Sequence, residues 1–105
     1  MFHINNSNGF SITFENGFVL SVQWGLGTYS DNGHALDGEK SFVEQMHELG
    51  SCQSRTAEIA VIDPDGNWAT QRVLGINDDV KGYATADYVA YAMNKVANFK
   101  EQANG

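Results

Sequence analysis

The chain has 105 residues, of which 42% are hydrophobic and 18% are charged, a balance typical of one globular domain and too apolar for a disordered chain. There are 13 Asp and Glu against 6 Lys and Arg, so the formal net charge is −7. Binding to nucleic acid or to an anionic membrane surface needs clustered cations and is therefore not expected. No stretch approaches the ~18 apolar residues of a membrane span.

The compartment is suggested by two further observations. Residues 1–6 show no basic stretch followed by an apolar run, so no signal peptide is expected. Cys52 is the single cysteine, so no internal disulfide can form. Both favour a cytoplasmic protein in a reducing environment.

Residues 10–24 show the period-two alternation of a β-hairpin, with Asn16 and Gly17 at the turn. A two-residue loop would place the two apolar rows on opposite faces. A three-residue loop brings them onto one face and predicts a type I turn with Gly17 in a left-handed bulge position. The predicted cross-strand pairs are Phe14–Phe18, Ile12–Leu20 and Phe10–Val22.

Residues 55–74 show a second alternating pattern around Pro64, Asp65 and Gly66, which suit a type I turn and the left-handed position after it. The predicted cross-strand pairs are Ile62–Trp68, Val61–Ala69 and the charge pair Glu58–Arg72. Ile62 and Trp68 fall on the face away from the apolar row. An exposed apolar pair of this kind predicts an interface.

Two helices complete the pattern. Residues 85–102 have apolar residues at helical spacing and begin with Thr85, a suitable N-cap. Residues 41–49 form a shorter candidate helix that opens with a capping box at Ser41 and Glu44. The sequence predicts one α+β domain over residues 1–105, with a four-stranded antiparallel sheet from two hairpins, a short middle helix, and a C-terminal helix packed on one sheet face.

Two segments are candidate ligand sites. Residues 25–40 hold four glycines without periodicity, and residues 75–84 lead into the N-terminus of the last helix, where anions are favoured. A flexible connection remains the alternative for the first segment. The residues predicted to bind a ligand are Trp24, Gly25, Gly27, Thr28, Tyr29, Lys81 and Tyr83.

Catalytic and metal-binding motifs are absent from the sequence. It contains no HExxH, CxxC or Gly-x-Ser-x-Gly pattern, so no catalytic residue and no cofactor is predicted, and enzymatic activity has no positive support. Asp78 and Asp79 are adjacent, but two carboxylates are too few for a hard cation. They are interpreted as a polar turn, and no metal is predicted.

Residues 14–32, FENGFVLSVQWGLGTYSDN, resemble a family of small, uncharacterised proteins of tailed bacteriophages. The similarity continues through residues 56–61, 66–68 and 79–83 to the final helix, whereas residues 33–50 look like an insertion. The resemblance carries no catalytic pattern. It implies a phage-encoded protein that acts in the host cytoplasm.

These observations lead to two functional hypotheses. The first is a non-enzymatic homodimer that captures a nucleotide-like small molecule and thereby counters host defence. The alternative is an interaction module that binds a host protein through the open sheet face and the acidic surface.

Overall fold

A computed structural model describes residues 1–5, 9–24 and 54–101. Within these ranges the chain forms two helices and a five-stranded antiparallel sheet with its strands in sequence order. The elements are β1 (Phe2–Asn5), β2 (Gly9–Thr13), β3 (Val19–Gln23), β4 (Thr56–Ile62), α1 (Thr70–Leu74), β5 (Lys81–Thr85) and α2 (Ala86–Ala97). The α+β class, the antiparallel sheet and the C-terminal helix are confirmed, with five strands instead of the four predicted.

The first hairpin has the predicted register. Phe10 lies opposite Val22 and Ile12 opposite Leu20. The Phe14 amide donates to Phe18 (2.9 Å), and Gly17 has the expected positive φ of 85°. The three-residue loop is selected because it alone brings both apolar rows onto one face.

β1 is the strand that the sequence analysis missed. It pairs antiparallel with β2, which places Phe2 opposite Ile12 and Ile4 opposite Phe10. Four residues with only two apolar side chains are too short a pattern to indicate a strand, so the pairing partner decides the structure here.

The prediction of the second hairpin is only half correct. Its turn forms, and Ile62 makes an isolated bridge with Trp68, but the expected return strand is replaced by helix α1. The cause is Thr70, whose hydroxyl accepts from the Val61 amide (2.9 Å) and donates to the Asp79 carbonyl (2.6 Å). The Val61 amide is thereby satisfied by a side chain, and the backbone is free to turn into the helix.

β4 consequently pairs with β3 on one side and β5 on the other. The predicted pair of Glu58 with Arg72 is wrong, because Glu58 lies opposite Gln23 of β3. Arg72 stands on α1 and forms ion pairs with Asp63 (3.1 Å) and Glu101 (2.6 Å).

Helix α2 covers the apolar face of the sheet. Thr85 caps it as predicted, accepting a hydrogen bond from the Tyr88 amide (3.2 Å). The helix ends at Ala97, before the predicted residue 102. Its C-terminal turn is held by Asn16, whose side-chain amide donates to the Val96 (2.8 Å) and Phe99 (3.0 Å) carbonyls. The core between sheet and helix includes Leu20, Val22, Ala57, Ile59, Val61, Ala84, Ala92 and Val96.

The predicted helix over residues 41–49 and the glycine-rich segment over residues 25–40 lie outside the described residues. Both stay predictions. The segment at residues 75–84 is described, and its second half is strand β5 rather than a loop.

Candidate functional site

A groove of about 230 Å³ opens at one end of the sheet, where β3 ends, β4 begins and β5 runs into α2. We call it the Trp24 groove. It is lined by Phe10, Val22, Trp24, Ser54, Arg55, Thr56, Ala57, Ala84, Ala86 and Val89. Most of these side chains are apolar, as is usual for small-molecule sites.

Two aromatic rings form one wall of the groove. Phe10 and Trp24 pack edge to face, with ring centroids 6.2 Å apart and planes at 68°. Both are partly buried against the core cluster. The rings are therefore fixed by packing and offer apolar surface to a flat ligand.

Behind this wall, the backbones of β2 and β3 approach each other unusually closely. Gly9 lies opposite Gln23 and has a φ of 155°, and a Cβ built on it would stand 2.1 Å from the Val22 carbonyl oxygen. Only glycine permits this approach of β2 to β3. The approach sets the positions of the neighbouring residues Phe10 and Val22, which line the groove.

Arg55 supplies positive charge to the groove. It is exposed, and among the described residues that line the groove it is the one cation. In the part of the chain that the structure describes, both ion pairs belong to Arg72 and Arg55 makes none. The Ser54 hydroxyl, by contrast, already donates to the Thr56 carbonyl (2.6 Å).

The first turn of α2 forms the opposite side through Ala86 and Val89. Its amides give this side a positive potential, but Asp87 in the same turn offsets part of it. Of these two sources of positive potential, Arg55 carries a full charge and the helix end only a partial one.

The sequence-predicted ligand residues are only partly brought together. Trp24 lines the groove, whereas Lys81 and Tyr83 on β5 are outside its lining. Gly25, Gly27, Thr28 and Tyr29 belong to the segment that the structure does not describe.

Lys81 and Tyr83 have a different local role. The Lys81 ammonium lies 5.3 Å from the centre of the Tyr88 ring. Burial raises the pKa of the Tyr88 phenol, and neighbouring Tyr91 adds to the effect, so this phenol stays neutral. Tyr83 has a positive φ of 51°, which coincides with a shift of register between β4 and β5.

Arg55 and Phe10 were not selected as binding residues from sequence. Phe10 was read as one member of an alternating apolar row, and its ring was assigned to the core. Arg55 is the first residue of the second alternating pattern, and nothing in that pattern marks it as a binding residue. Only the adjacency of β3, β4 and β5 reveals that the two face one groove.

The predicted interface residues are differently exposed. Trp68 is 56% exposed, while Ile62 is half-buried. On the same strand face as Ile62, the Ala60 side chain is only 9% exposed. Trp68 therefore presents the larger free apolar surface of the two.

Clusters of metal ligands and membrane-spanning helices are both absent from the described ranges. Over residues 1–5, 9–24 and 54–101, no group of three or more His, Cys, Asp or Glu side chains could hold a metal ion. Across the same ranges, no helix has the length and hydrophobicity needed to cross a membrane.

Comparison with known proteins adds no relative. No family model, no curated protein and no solved structure matches this chain.

Proposed function

We propose that this protein binds a small, nucleotide-like molecule in the Trp24 groove. The observation that carries the proposal is the combination in one groove of a packed aromatic wall, Phe10 and Trp24, with Arg55, a cation that forms no ion pair among the described residues. A flat ring packs on the wall, and an anionic group attached to it meets the guanidinium.

The size of the groove narrows the ligand class. Its volume of about 230 Å³ is below the ~300–1,000 Å³ of sites that enclose a whole drug-sized molecule. The groove fits one ring system of a ligand, while the charged part stays near the rim. A mononucleotide or a cyclic nucleotide has this division between a flat ring and a phosphate.

The charge of the chain makes Arg55 decisive. A net charge of −7 repels anions at long range, so local donors must overcome this repulsion. A guanidinium suits this task because it offers parallel hydrogen bonds to phosphate oxygens. In the setting implied by the resemblance to phage proteins, capture of a host nucleotide signal would counter host defence.

Fluorescence of Trp24 tests this function. The chain has two tryptophans, so Trp68→Phe leaves Trp24 as the reporter. We expect nucleoside monophosphates or cyclic nucleotides from a panel to change its emission, and the matching nucleosides to bind at least about tenfold more weakly, since a hydrogen bond to a charged group contributes ~1.5–3 kcal/mol.

Two substitutions distinguish the effect of the Arg55 charge in the groove from the effect of the overall charge of the chain. Arg55→Gln should remove the preference for the phosphorylated ligand. Lys95→Gln removes one cation from the last turn of α2, away from the groove, and should leave binding unchanged. Absence of any response to the whole panel at millimolar ligand would refute the proposed function.

Binding of a host protein through the Trp68 surface is the second candidate. It rests on the 56% exposure of Trp68, which is high for so large an apolar side chain. The two functions differ in their response to Trp68→Ala. This substitution should abolish protein binding and leave ligand binding in the Trp24 groove intact.

A further inference from the structure

Strand β1 is an open edge of the sheet. Within the described ranges the strand order runs from β1 to β5, so β1 has a partner on one side only. Its two apolar side chains are the most exposed of any strand, with Phe2 at 74% and Ile4 at 86%. They share the sheet face of their partners Ile12 and Phe10.

The hydrogen bonding shows which backbone groups of β1 face outward. Met1 and Thr13 exchange two hydrogen bonds, from the Thr13 amide to the Met1 carbonyl (2.8 Å) and from the Met1 ammonium to the Thr13 carbonyl (2.7 Å). Bonded and non-bonded pairs alternate along an antiparallel ladder. His3 therefore bonds inward to Ser11, and the amides and carbonyls of Phe2 and Ile4 point away from the sheet.

The two edge strands of the sheet differ in the features that hinder pairing with another strand. β5, at the other edge, carries Lys81, a register shift and the positive φ of Tyr83, all of which hinder pairing with another strand. β1 has the sequence Phe-His-Ile-Asn, without proline, lysine or bulge. Of the two, β1 is the edge that can accept another strand.

A second copy of this chain meets the least electrostatic repulsion at the β1 edge. The net charge is −7, so two copies repel each other over most orientations. Residues 1–14 contain no Asp, Glu, Lys or Arg side chain. The β1 edge is therefore the part of the sheet where two copies approach with the least repulsion.

We propose that two copies pair through β1 across a two-fold axis at His3, which joins their sheets into one. Phe2 of each copy lies opposite Ile4 of the other, and the two His3 residues face each other. This register is the one in which both outward-facing residues of β1 exchange hydrogen bonds, because centring the axis on Phe2 or Ile4 would pair only that residue within the strand. The pairing also brings Phe2 beside Ile4 of the second copy on the apolar face.

A disulfide test reports this register directly. His3 and its counterpart form a non-hydrogen-bonded pair, with Cα atoms about 4.5 Å apart, inside the ~4.4–6.8 Å range of disulfides. In a Cys52→Ser background, His3→Cys should therefore give a covalent dimer under mild oxidation. Ser11→Cys is the matched control, because it lies one strand further in, with its copies about three strand spacings, or ~14 Å, apart.

Sedimentation of the chain without added cysteines tests the interface independently. A four-residue edge makes a small interface, so the dimer should be weak and should appear as the concentration rises toward roughly 100 μM. Ile4→Lys should shift the chain to monomer, whereas Tyr91→Lys adds the same charge at a half-exposed residue of α2 and should not.

The proposal is overturned by a chain that stays monomeric throughout this range. It is also overturned by a dimer insensitive to Ile4→Lys, or by equal cross-linking of the His3→Cys and Ser11→Cys variants. None of these outcomes bears on ligand binding, because the Trp24 groove does not include β1.

Discussion

Gly9 lies where β2 and β3 are too close for any other residue. The Cβ position 2.1 Å from the Val22 carbonyl oxygen would force a backbone shift, and the φ of 155° is unfavourable for a residue with a side chain. By comparison, Gly66 has a φ of 86° but open space around its Cβ position. Comparing substitutions at the two glycines therefore separates the cost of a steric clash from the cost of an unfavourable φ.

Gly9→Ala should lower the free energy of unfolding by about 2–4 kcal/mol, in the range of disruptive core changes. Gly66→Ala should lower the free energy of unfolding by only about 1–2 kcal/mol, because alanine adopts the left-handed conformation there without a steric clash. Urea denaturation of both variants measures the difference. Equal losses of unfolding free energy would mean that β2 and β3 move apart at no cost to accommodate the added methyl group. That result would contradict the statement that only glycine permits their close approach at residue 9.

The residues that sequence predicted well are those whose role is local. Asn16 and Gly17 indicate a turn, and the length of the turn follows from the apolar rows on either side. Gly9 carries no such signal, because its constraint comes from the Val22 carbonyl of another strand. Asn16 was read as a turn residue, and its bonds to the C-terminal turn of α2, some 80 residues away, were not foreseen.

Helix α1 shows how one side chain changes an element. The sequence after the Pro64 turn alternates well enough for a strand, and the bridge from Ile62 to Trp68 begins one. Thr70 then satisfies the Val61 amide through its hydroxyl, and the chain turns into a helix that ends at Gly75, whose φ is 71°. A side-chain hydrogen bond to a strand nine residues earlier therefore overrides the local pattern.

Thr70→Val tests this explanation. Valine has nearly the same shape, but it leaves the buried Val61 amide without its partner and removes the donor to the part-buried Asp79 carbonyl. Each unsatisfied buried group costs about 1–3 kcal/mol. We expect a clear fall in the urea midpoint for Thr70→Val and a much smaller one for Thr70→Ser, and a valine variant as stable as the original chain would disprove the explanation.

The candidate site could be predicted from sequence only in outline. Trp24 was selected because it follows a clear strand and precedes a glycine-rich segment. From the sequence, Arg55 is one of three cations, with Lys81 and Arg72, that would supply a local field for an anion. Its place beside Trp24 depends on the pairing of β3 with β4. Lys81 and Tyr83 were read as a loop before a helix, and the strand they form places them outside the groove lining.

At the scale of the whole molecule, one charged cluster joins the β4–α1 loop to the chain beyond α2. The Asp63 carboxylate accepts from the Asn67 and Asp65 amides (2.9 Å each) and from Arg72 (3.1 Å). Arg72 also binds Glu101 (2.6 Å). These bonds, chiefly that from Asn67 and then those from Arg72 and Asp65, outweigh burial and lower the pKa of Asp63.

The lowered pKa makes stability depend on pH in a stated direction. A carboxylate with a depressed folded-state pKa stabilises the fold fully above its ordinary pKa, here 3.8, and loses that contribution as pH falls through the folded value. The unfolding free energy should therefore decrease with acidification below about pH 4.

Asp63→Asn should reduce this acid dependence, because asparagine has no carboxyl proton to gain. Glu15→Gln, which removes a carboxylate from an exposed turn residue outside this cluster, is the control for the loss of one negative charge. Urea denaturation at a series of pH values compares the three chains. An Asp63→Asn profile as steep as the original would show that Asp63 does not contribute to acid sensitivity.

NMR titration of the ¹⁵N-labelled chain measures whether the Trp24 groove binds the nucleotide-like ligand that we propose. A nucleotide selected from the fluorescence panel would be added while backbone and indole signals are followed. We expect concerted shifts of the Trp24 indole and of Arg55, Ala57 and Val89, with the Trp68 indole unmoved. Shifts centred on Trp68, or no shifts at millimolar ligand, would contradict the claim.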